Sequence, residues 1–290
     1  MTKIGVTGAT GKLGTLVAQR LAAAGADLRL IARKPGKQLP IPDAEVRFAP
    51  YGDGPKFELA AGGVETLLLV SAMESDLRVA EHTTAIEAAV AAGVRRIVYI
   101  SFQGAAPEAT FTFARDHWYT EQQIRQTELA FTVLRDNNYQ IHLPALADPE
   151  TGVIRGPAGD GRVAAVAHED IADVATAVLL DDQLLPNEIR DVTGPEALNL
   201  DEVAAILSKH TDREITYKPE SIPEAYESRS KYGAPDWMVA GWVTSYQAIA
   251  TGELATVSST VEAITGHPPI AFDRYLTTHP EVLDRLRNRT

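Results

Sequence analysis

The sequence predicts an α/β protein, a Rossmann-like doubly wound parallel sheet with a smaller, mainly C-terminal α/β substrate domain. Three observations carry this. Short apolar or β-branched runs alternate with helical periodicity through the first half of the chain, the mark of successive βαβ units. The run "TLLLVS" (Thr66–Ser71) is continuously apolar, as a strand covered on both faces must be. The pattern Gly8-x-x-Gly11-x-x-Gly14 stands between the first strand and the first helix. Right-handed crossovers then leave the doubly wound sheet as the expected topology.

The elements follow in order. "KIGVT" (Lys3–Thr7) is a β-branched strand, and "TLVAQRLAAAG" spaces Leu16, Val17, Leu21 and Ala24 on one helix face with Gly25 as its stop. Strands are expected at Asp27–Arg33, Glu45–Ala49, Thr66–Ser71, Arg96–Ser101 and Phe131–Arg135. Helices are expected at Leu77–Ala92, ended by Gly93, and at Asp116–Gln126. The stretch "GRVAAVAHEDIADVATAVLLDD" reads as a short strand and an amphipathic helix, and "RDVTG" as one more strand. "LNLDEVAAILSKHT" is a helix with Asn199 or Asp201 near its cap. After Pro219 the signals are mixed, and the tail "EVLDRLRNRT" is a charged terminal helix or a frayed end. The domain division expected is 1–137 with 161–195 for the dinucleotide-binding part, and 138–160 with 196–290 for the substrate part.

Composition narrows the function. The chain has 290 residues, ample for one or two domains with a sizeable core. It has no cysteine, which excludes disulfides, thiolate nucleophiles and Cys-ligated metals. A formal net charge of -12 argues against nucleic-acid binding through a global field. The apolar runs are too short to span a bilayer, and the N-terminus opens directly into a strand with no apolar signal region. A soluble, cytoplasmic protein acting on a small molecule is expected, with no metal site.

The glycine loop has a physical reading. Gly8 permits a tight turn, Gly11 lets the backbone approach a pyrophosphate, and Gly14 permits close packing of helix on strand. The N–H groups at the helix start, around Lys12 and Leu13, then face the anion, with Thr10 and Lys12 adding side-chain contacts. The second strand ends in Arg33 and Lys34 instead of an acidic residue. A guanidinium clamps a 2′-phosphate, so NADP(H) is favoured over NAD(H). Gly52 and Asp53 in "YGDG" are expected to flank the adenine. Ser71, Ala72 and Met73 are expected to run along the pyrophosphate and nicotinamide ribose.

Many dinucleotide enzymes of this kind use a Tyr-x-x-x-Lys pair on the helix after the fifth strand. Here the segment "FARDHWYTEQQI" (Phe113–Ile124) gives Tyr119-x-x-x-Gln123, and no lysine occurs between Lys56 and Lys209. A tyrosine–lysine mechanism on the central helix is therefore excluded. Ser101, at the end of the fifth strand, is expected to polarise a substrate carbonyl. His117 is expected to serve as an acid or to bond the nicotinamide ribose. Tyr119 projects from another helix face and reads as a packing residue.

Together, "VTGATGKLG", the "AR" after the second strand, "YGD", "LLLVSAMESDLRVAEHTTAIEAAVAAGVRRIVYIS", "HWYTEQQI", "FTVLR", "GPAGDGRVAAVAHEDIA" and "GHPP" resemble the NmrA-like atypical short-chain dehydrogenases. The chain is similar in particular to their bacterial NADPH:quinone oxidoreductase type. The resemblance implies an NADP-preferring Rossmann domain, a small C-terminal domain and a cleft between them. It also implies the absence of Tyr-x-x-x-Lys. In a related reductase branch a lysine begins this helix, and that position falls on His117. One departure stands out: an "RNGWY"-like segment is replaced by "RDNNYQIHLP", in which Tyr139 matches the aromatic while Asn138 and Asn137 replace tryptophan and glycine.

The expected activity is hydride transfer from NADPH to a quinone or related conjugated carbonyl compound, with Ser101, His117 and Tyr139 in substrate contact or protonation. The alternative is a non-catalytic NADP(H)-binding regulator of NmrA type acting through a protein partner. A nucleotide-sugar epimerase is disfavoured, because those relatives use the missing pair. The apolar helices flanking the sheet permit a homodimer.

Overall fold

The computed structural model describes residues 2–35, 41–42 and 44–287. The main sheet is built from β1 (Lys3–Thr7), β2 (Asp27–Ala32), β3 (Glu45–Phe48), β4 (Thr66–Val70), β5 (Arg96–Phe102) and β6 (Ala130–Asp136). The chain then leaves for a second sheet at β7 (Val153–Gly156) and returns with β8 (Glu188–Val192). The order is β3-β2-β1-β4-β5-β6-β8, and every pairing is parallel. Order reverses between β1 and β4, which makes that gap the switch point where ligands bind in such sheets.

Helix α1 (Lys12–Ala23) covers one face, α2 (Gly54–Ala61), α3 (Arg78–Ala91) and α4 (Thr112–Gln126) cover the other, and α5 (His168–Leu180) returns beside α1. The pleat explains the continuous apolar runs. Leu68, Val98, Ile100 and Leu134 join Leu13, Val17, Leu21, Ile171 and Val174 in one core. Their neighbours Leu67, Leu69, Ile97, Tyr99 and Val133 join Phe57, Ile86 and Ile124 in the other. Each such side chain, fully buried, contributes roughly 1.5–3 kcal/mol. The ion pair Arg20 Nε–Asp173 Oδ1, 2.5 Å, ties α1 to α5.

The second lobe pairs β7 with β9 (Thr216–Pro219) in parallel, after α6 (Leu200–Thr211). Next come α7 (Ile222–Ser230) and α8 (Asp236–Ala250). Helix α9 (Thr260–Thr265) packs back against α5, so Val261 belongs to a core of the main sheet. Helices α10 (Phe272–Thr278) and α11 (Asp284–Arg287) close the chain. The tail read from the sequence thus holds a short helix, and its last three residues lie outside the described ones. No helix among the described residues is long and apolar enough to cross a membrane.

Three local expectations are corrected. Helix α4 starts at Thr112, four residues before Asp116, because the Thr112 N–H is capped by Thr244 Oγ1 of α8 at 3.2 Å. The short strand expected before α5 does not form; Val163 and Val166 make isolated bridges to Leu198 and Tyr139. Asn199, not Asp201, caps α6, in a capping box with Glu202. The lobes meet tightly where Gly241 of α8 faces Phe113 of α4: a methyl group there would overlap the phenyl ring.

Candidate cofactor and active site

The glycine loop lies at the switch point. Gly8 has φ +62°, a region that favours glycine, and its carbonyl accepts from the Gly11 N–H at 2.8 Å. A methyl group on Gly14 would overlap that same carbonyl oxygen, so only glycine lets α1 start so close to β1. Thr15 Oγ1 donates to the Ala9 carbonyl at 3.0 Å and pins the turn. Gly11 is the N-cap of α1 and no side chain caps the helix. Its first N–H groups are therefore left to an external anion. Lys12 is exposed, Thr10 is partly buried, and the Leu13 side chain is turned into the core.

The other expected cofactor residues sort by what their atoms already do. Arg33 and Lys34 are exposed at the end of β2 and make no ion pair with any described residue. Gly52 is exposed beside Glu81. The Asp53 carboxylate caps α2 by accepting from the Lys56 N–H at 3.2 Å and pairs with Lys56 Nζ at 2.5 Å. The Lys56 bonds hold Asp53 below the usual carboxylate range. Its neighbour Tyr51 bridges the two strands of the switch point, with Oη 2.5 Å from Thr7 Oγ1 and 2.6 Å from the Val70 carbonyl. Met73 is exposed after β4, whereas Ser71 and Ala72 are held from within.

They are held by two buried histidines. Ala72 N–H donates to His82 Nε2 at 2.9 Å. Because Nε2 accepts, the proton of the neutral ring sits on Nδ1, which donates to Thr120 Oγ1 at 2.9 Å. The second ring is His117. Arg78 Nη2 donates to its Nε2 at 3.1 Å, so Nδ1–H donates to Tyr99 Oη at 3.0 Å. Tyr99 Oη is 3.0 Å from Ser71 Oγ, which donates to the Ile100 carbonyl at 2.8 Å. Burial first and the Arg78 charge second hold both histidines neutral: His82 is pushed down to about 3, and His117 well below the usual range.

Beside them Glu121 and Arg135 form a buried pair, and Ser101 Oγ donates to Glu121 Oε1 at 2.5 Å. At the end of β6, Tyr139 Oη donates to Asp136 Oδ2 at 2.7 Å. Burial raises Asp136 to about 8, and burial with the Asp136 charge raises Tyr139 well above its ordinary value. The Tyr139 ring lies 4.2 Å, centroid to centroid, from His168. Burial and then the Lys12 charge lower His168 to about 4; burial also lowers His142. The end of β6, the start of α5 and the glycine loop therefore converge.

Three expectations change. Ser101 is fully buried and its hydroxyl is spent on Glu121, so it does not offer itself to a carbonyl. His117 is 7% exposed with both ring nitrogens bonded inside the protein, so it is not a free acid at the cleft. Only Tyr139 of the three stays partly accessible. Tyr119 is not a packing residue either; it is 48% exposed, edge-on to Trp118. Sequence reading missed Arg78, His82, Glu121 and Asp136. A faint signal existed: Arg78 with His82, and His117 with Glu121, are i,i+4 pairs on otherwise apolar helix faces. A separate cavity of about 890 Å³ lies in the second lobe, lined by Leu146, Arg155, Tyr232, Trp242 and Tyr246, and shares no residue with the glycine loop or the strand ends of the main sheet.

The family model of NAD(P)H-binding proteins matches residues 8–182, which run from the glycine loop through α5. The chain belongs to this NAD(P)H-binding family. Its NmrA-like, quinone-oxidoreductase character is borne out by relatives. Quinone oxidoreductase 2 of Escherichia coli is 32% identical over 273 residues, covering 91% of this chain and 94% of that protein. An NmrA-like family domain-containing oxidoreductase of Aspergillus flavus is 26% identical over 280 residues, 91% of each chain. The Escherichia coli NADPH-dependent quinone oxidoreductase in complex with NADPH superposes with a TM-score of 0.85 at 30% identity, covering 95% of this chain and 99% of that one.

Proposed function

We propose that the protein is an NADPH-dependent reductase that passes a hydride to a quinone or related conjugated carbonyl compound without a Tyr-x-x-x-Lys pair. The observation that carries this reading is the match, over nearly the whole of both chains, to a quinone oxidoreductase. The residues present fit the cofactor. Gly14 lets α1 start directly against the Gly8 carbonyl at the switch point, and α1 begins without a side-chain cap. Gly8, Thr10, Gly11, Lys12 and the backbone around Leu13 would hold the pyrophosphate. Arg33 and Lys34 would hold a 2′-phosphate, which favours NADP(H) over NAD(H). Ser71, Ala72 and Met73 would flank the nicotinamide half.

When bound, the reduced nicotinamide supplies the hydride. A quinone takes it with little acid assistance, because the negative charge left on oxygen is conjugated with the ring. The protein's share is then orientation and exclusion of water. Tyr139 is the residue we assign to substrate contact. Its hydroxyl stays protonated and its one proton is held by Asp136, so Tyr139 meets the acceptor through its ring and is neither base nor proton donor. His117 and Ser101 support the site from beneath.

The test is direct. Purified protein with NADPH is offered a panel of quinones while the nicotinamide absorbance is followed. Oxidation dependent on quinone supports the reductase. Tight NADP(H) binding with no oxidation across the panel favours the regulator that acts through a protein partner.

A further inference from the structure

Beneath the cofactor edge, the turn after β4 is fastened to α4 at two successive residues, each time through a histidine. Ala72 N–H is bonded to His82 Nε2, and His82 Nδ1–H to Thr120 Oγ1, which in turn donates to the Asp116 carbonyl at 2.8 Å. Ser71 Oγ is linked through Tyr99 Oη to His117 Nδ1. Both routes start in the loop expected to run along the nicotinamide half, and both end on the helix that carries Tyr-x-x-x-Lys in other dinucleotide enzymes.

We propose that His82 and His117 are positioning residues for the cofactor: they clamp the Ser71–Ala72 turn to α4 and so set the floor against which the nicotinamide half lies. The inference rests on the dinucleotide-binding part of the reading above, not on the identity of the acceptor.

The clamp has a defined chemistry. A histidine that accepts at Nε2 and donates at Nδ1 joins a donor on one side to an acceptor on the other, which neither an aliphatic nor a charged side chain does. The bond from Arg78 Nη2 enforces that tautomer at His117, and it is the only hydrogen bond the Arg78 side chain makes among the described residues. His82 is fully buried, so loss of its acceptor would leave the Ala72 N–H unpaired away from water. The rings also pack in a row: His82 meets Tyr99 edge-on with centroids 6.0 Å apart, and Tyr99 lies tilted against His117 at 5.9 Å. A shift in one histidine therefore reaches both anchors of the turn.

The test compares His82→Leu, which removes the acceptor, with His82→Gln, whose Oε1 restores one near the Nε2 position. The NADPH dissociation constant is measured on the full chain by fluorescence titration, and kcat and KM for a soluble benzoquinone are measured alongside. His82→Leu is expected to weaken NADPH roughly ten- to hundred-fold. It should also lower kcat while the quinone KM changes little. His82→Gln should stay near the wild type. Should His82→Leu fail to fold, Thr120→Val removes the far end of the same route at nearly constant volume, and a several-fold weakening of NADPH is expected. Unchanged NADPH affinity in the folded variants overturns the clamp, and if the wild type reduces quinone the reductase reading still stands. NADPH binding that depends on His82 in a protein that reduces no quinone supports the clamp and sinks the reductase reading.

Discussion

Glu121 and Arg135 face each other as a fork inside the protein, with Arg135 Nε 2.8 Å from Glu121 Oε1 and Nη2 2.6 Å from Oε2. Glu121 is fully buried, and Ser101 adds a third bond to the same carboxylate. This pair locks α4 to the ends of β5 and β6. It also accounts for the fate of Ser101, a hydroxyl on the expected strand but buried and bonded to Glu121.

Removing one partner of such a pair strands the other. Glu121→Gln is expected to destabilise the protein by about 3 kcal/mol, the lower end for broken buried pairs because the Arg135 side chain is 21% exposed. Urea unfolding monitored by circular dichroism checks this. A variant as stable as the wild type would mean that the pair contributes nothing.

Gly14→Ala should be worse tolerated than its small size suggests. The added methyl meets the Gly8 carbonyl, a backbone atom with no freedom to swing aside. Either the turn opens or α1 moves away from β1. The expected result is a lowered Tm together with loss of NADPH binding, whereas Gly25→Ala, at an open position with φ +74°, should cost stability alone.

Gly241→Ala tests the seam between the lobes. The methyl would enter the Phe113 ring and cost about 1–3 kcal/mol as overpacking. Adding Phe113→Leu should recover part of that loss. Two independent, additive losses would mean that the residues do not share the contact.

Acid should destabilise the fold more steeply than mild alkali. His82 and His168 titrate at about 3 and about 4 in the folded state, below their ordinary 6.5, and His117 is also held well below that value. Their stabilisation is present above 6.5 and is lost as the pH falls through the folded values. Asp136 runs the other way, raised from 3.8 to about 8: its stabilisation is complete below 3.8 and lost as the pH rises to about 8. The depressed histidines, His142 among them, outnumber the raised Asp136 and Asp170, so urea midpoints should drop further between pH 6.5 and 4 than between 6.5 and 8. Asp136→Asn should flatten the alkaline arm.

Arg33→Ala should weaken NADPH by about 1.5–3 kcal/mol while barely affecting NADH. Titration with both cofactors checks it, and equal losses would remove Arg33 from the 2′-phosphate.

The fold was legible where the physics is local. β4 and β5 announce themselves because both of their faces are buried, and Gly14 because its backbone contact admits nothing larger. Asn199 was legible as a cap because its partner is three residues away. The start of α4 was not, since Thr112 is capped by Thr244 from the other lobe. His82 went unseen because it holds a backbone N–H, which leaves no trace in residue type. Ser101 and His117 were read at the correct strand and helix with the wrong surroundings. Glu121, Arg78 and Tyr99 claim their polar atoms, and those partners converge only in three dimensions.

The proposed chemistry is tested most directly by an anaerobic stoichiometry. A limiting amount of NADPH is mixed with excess benzoquinone and the purified protein, and the nicotinamide consumed is compared with the hydroquinone formed. Two-electron transfer to the quinone predicts one hydroquinone per NADPH, at a rate proportional to protein. NADP(H) binding without protein-dependent hydroquinone would contradict it.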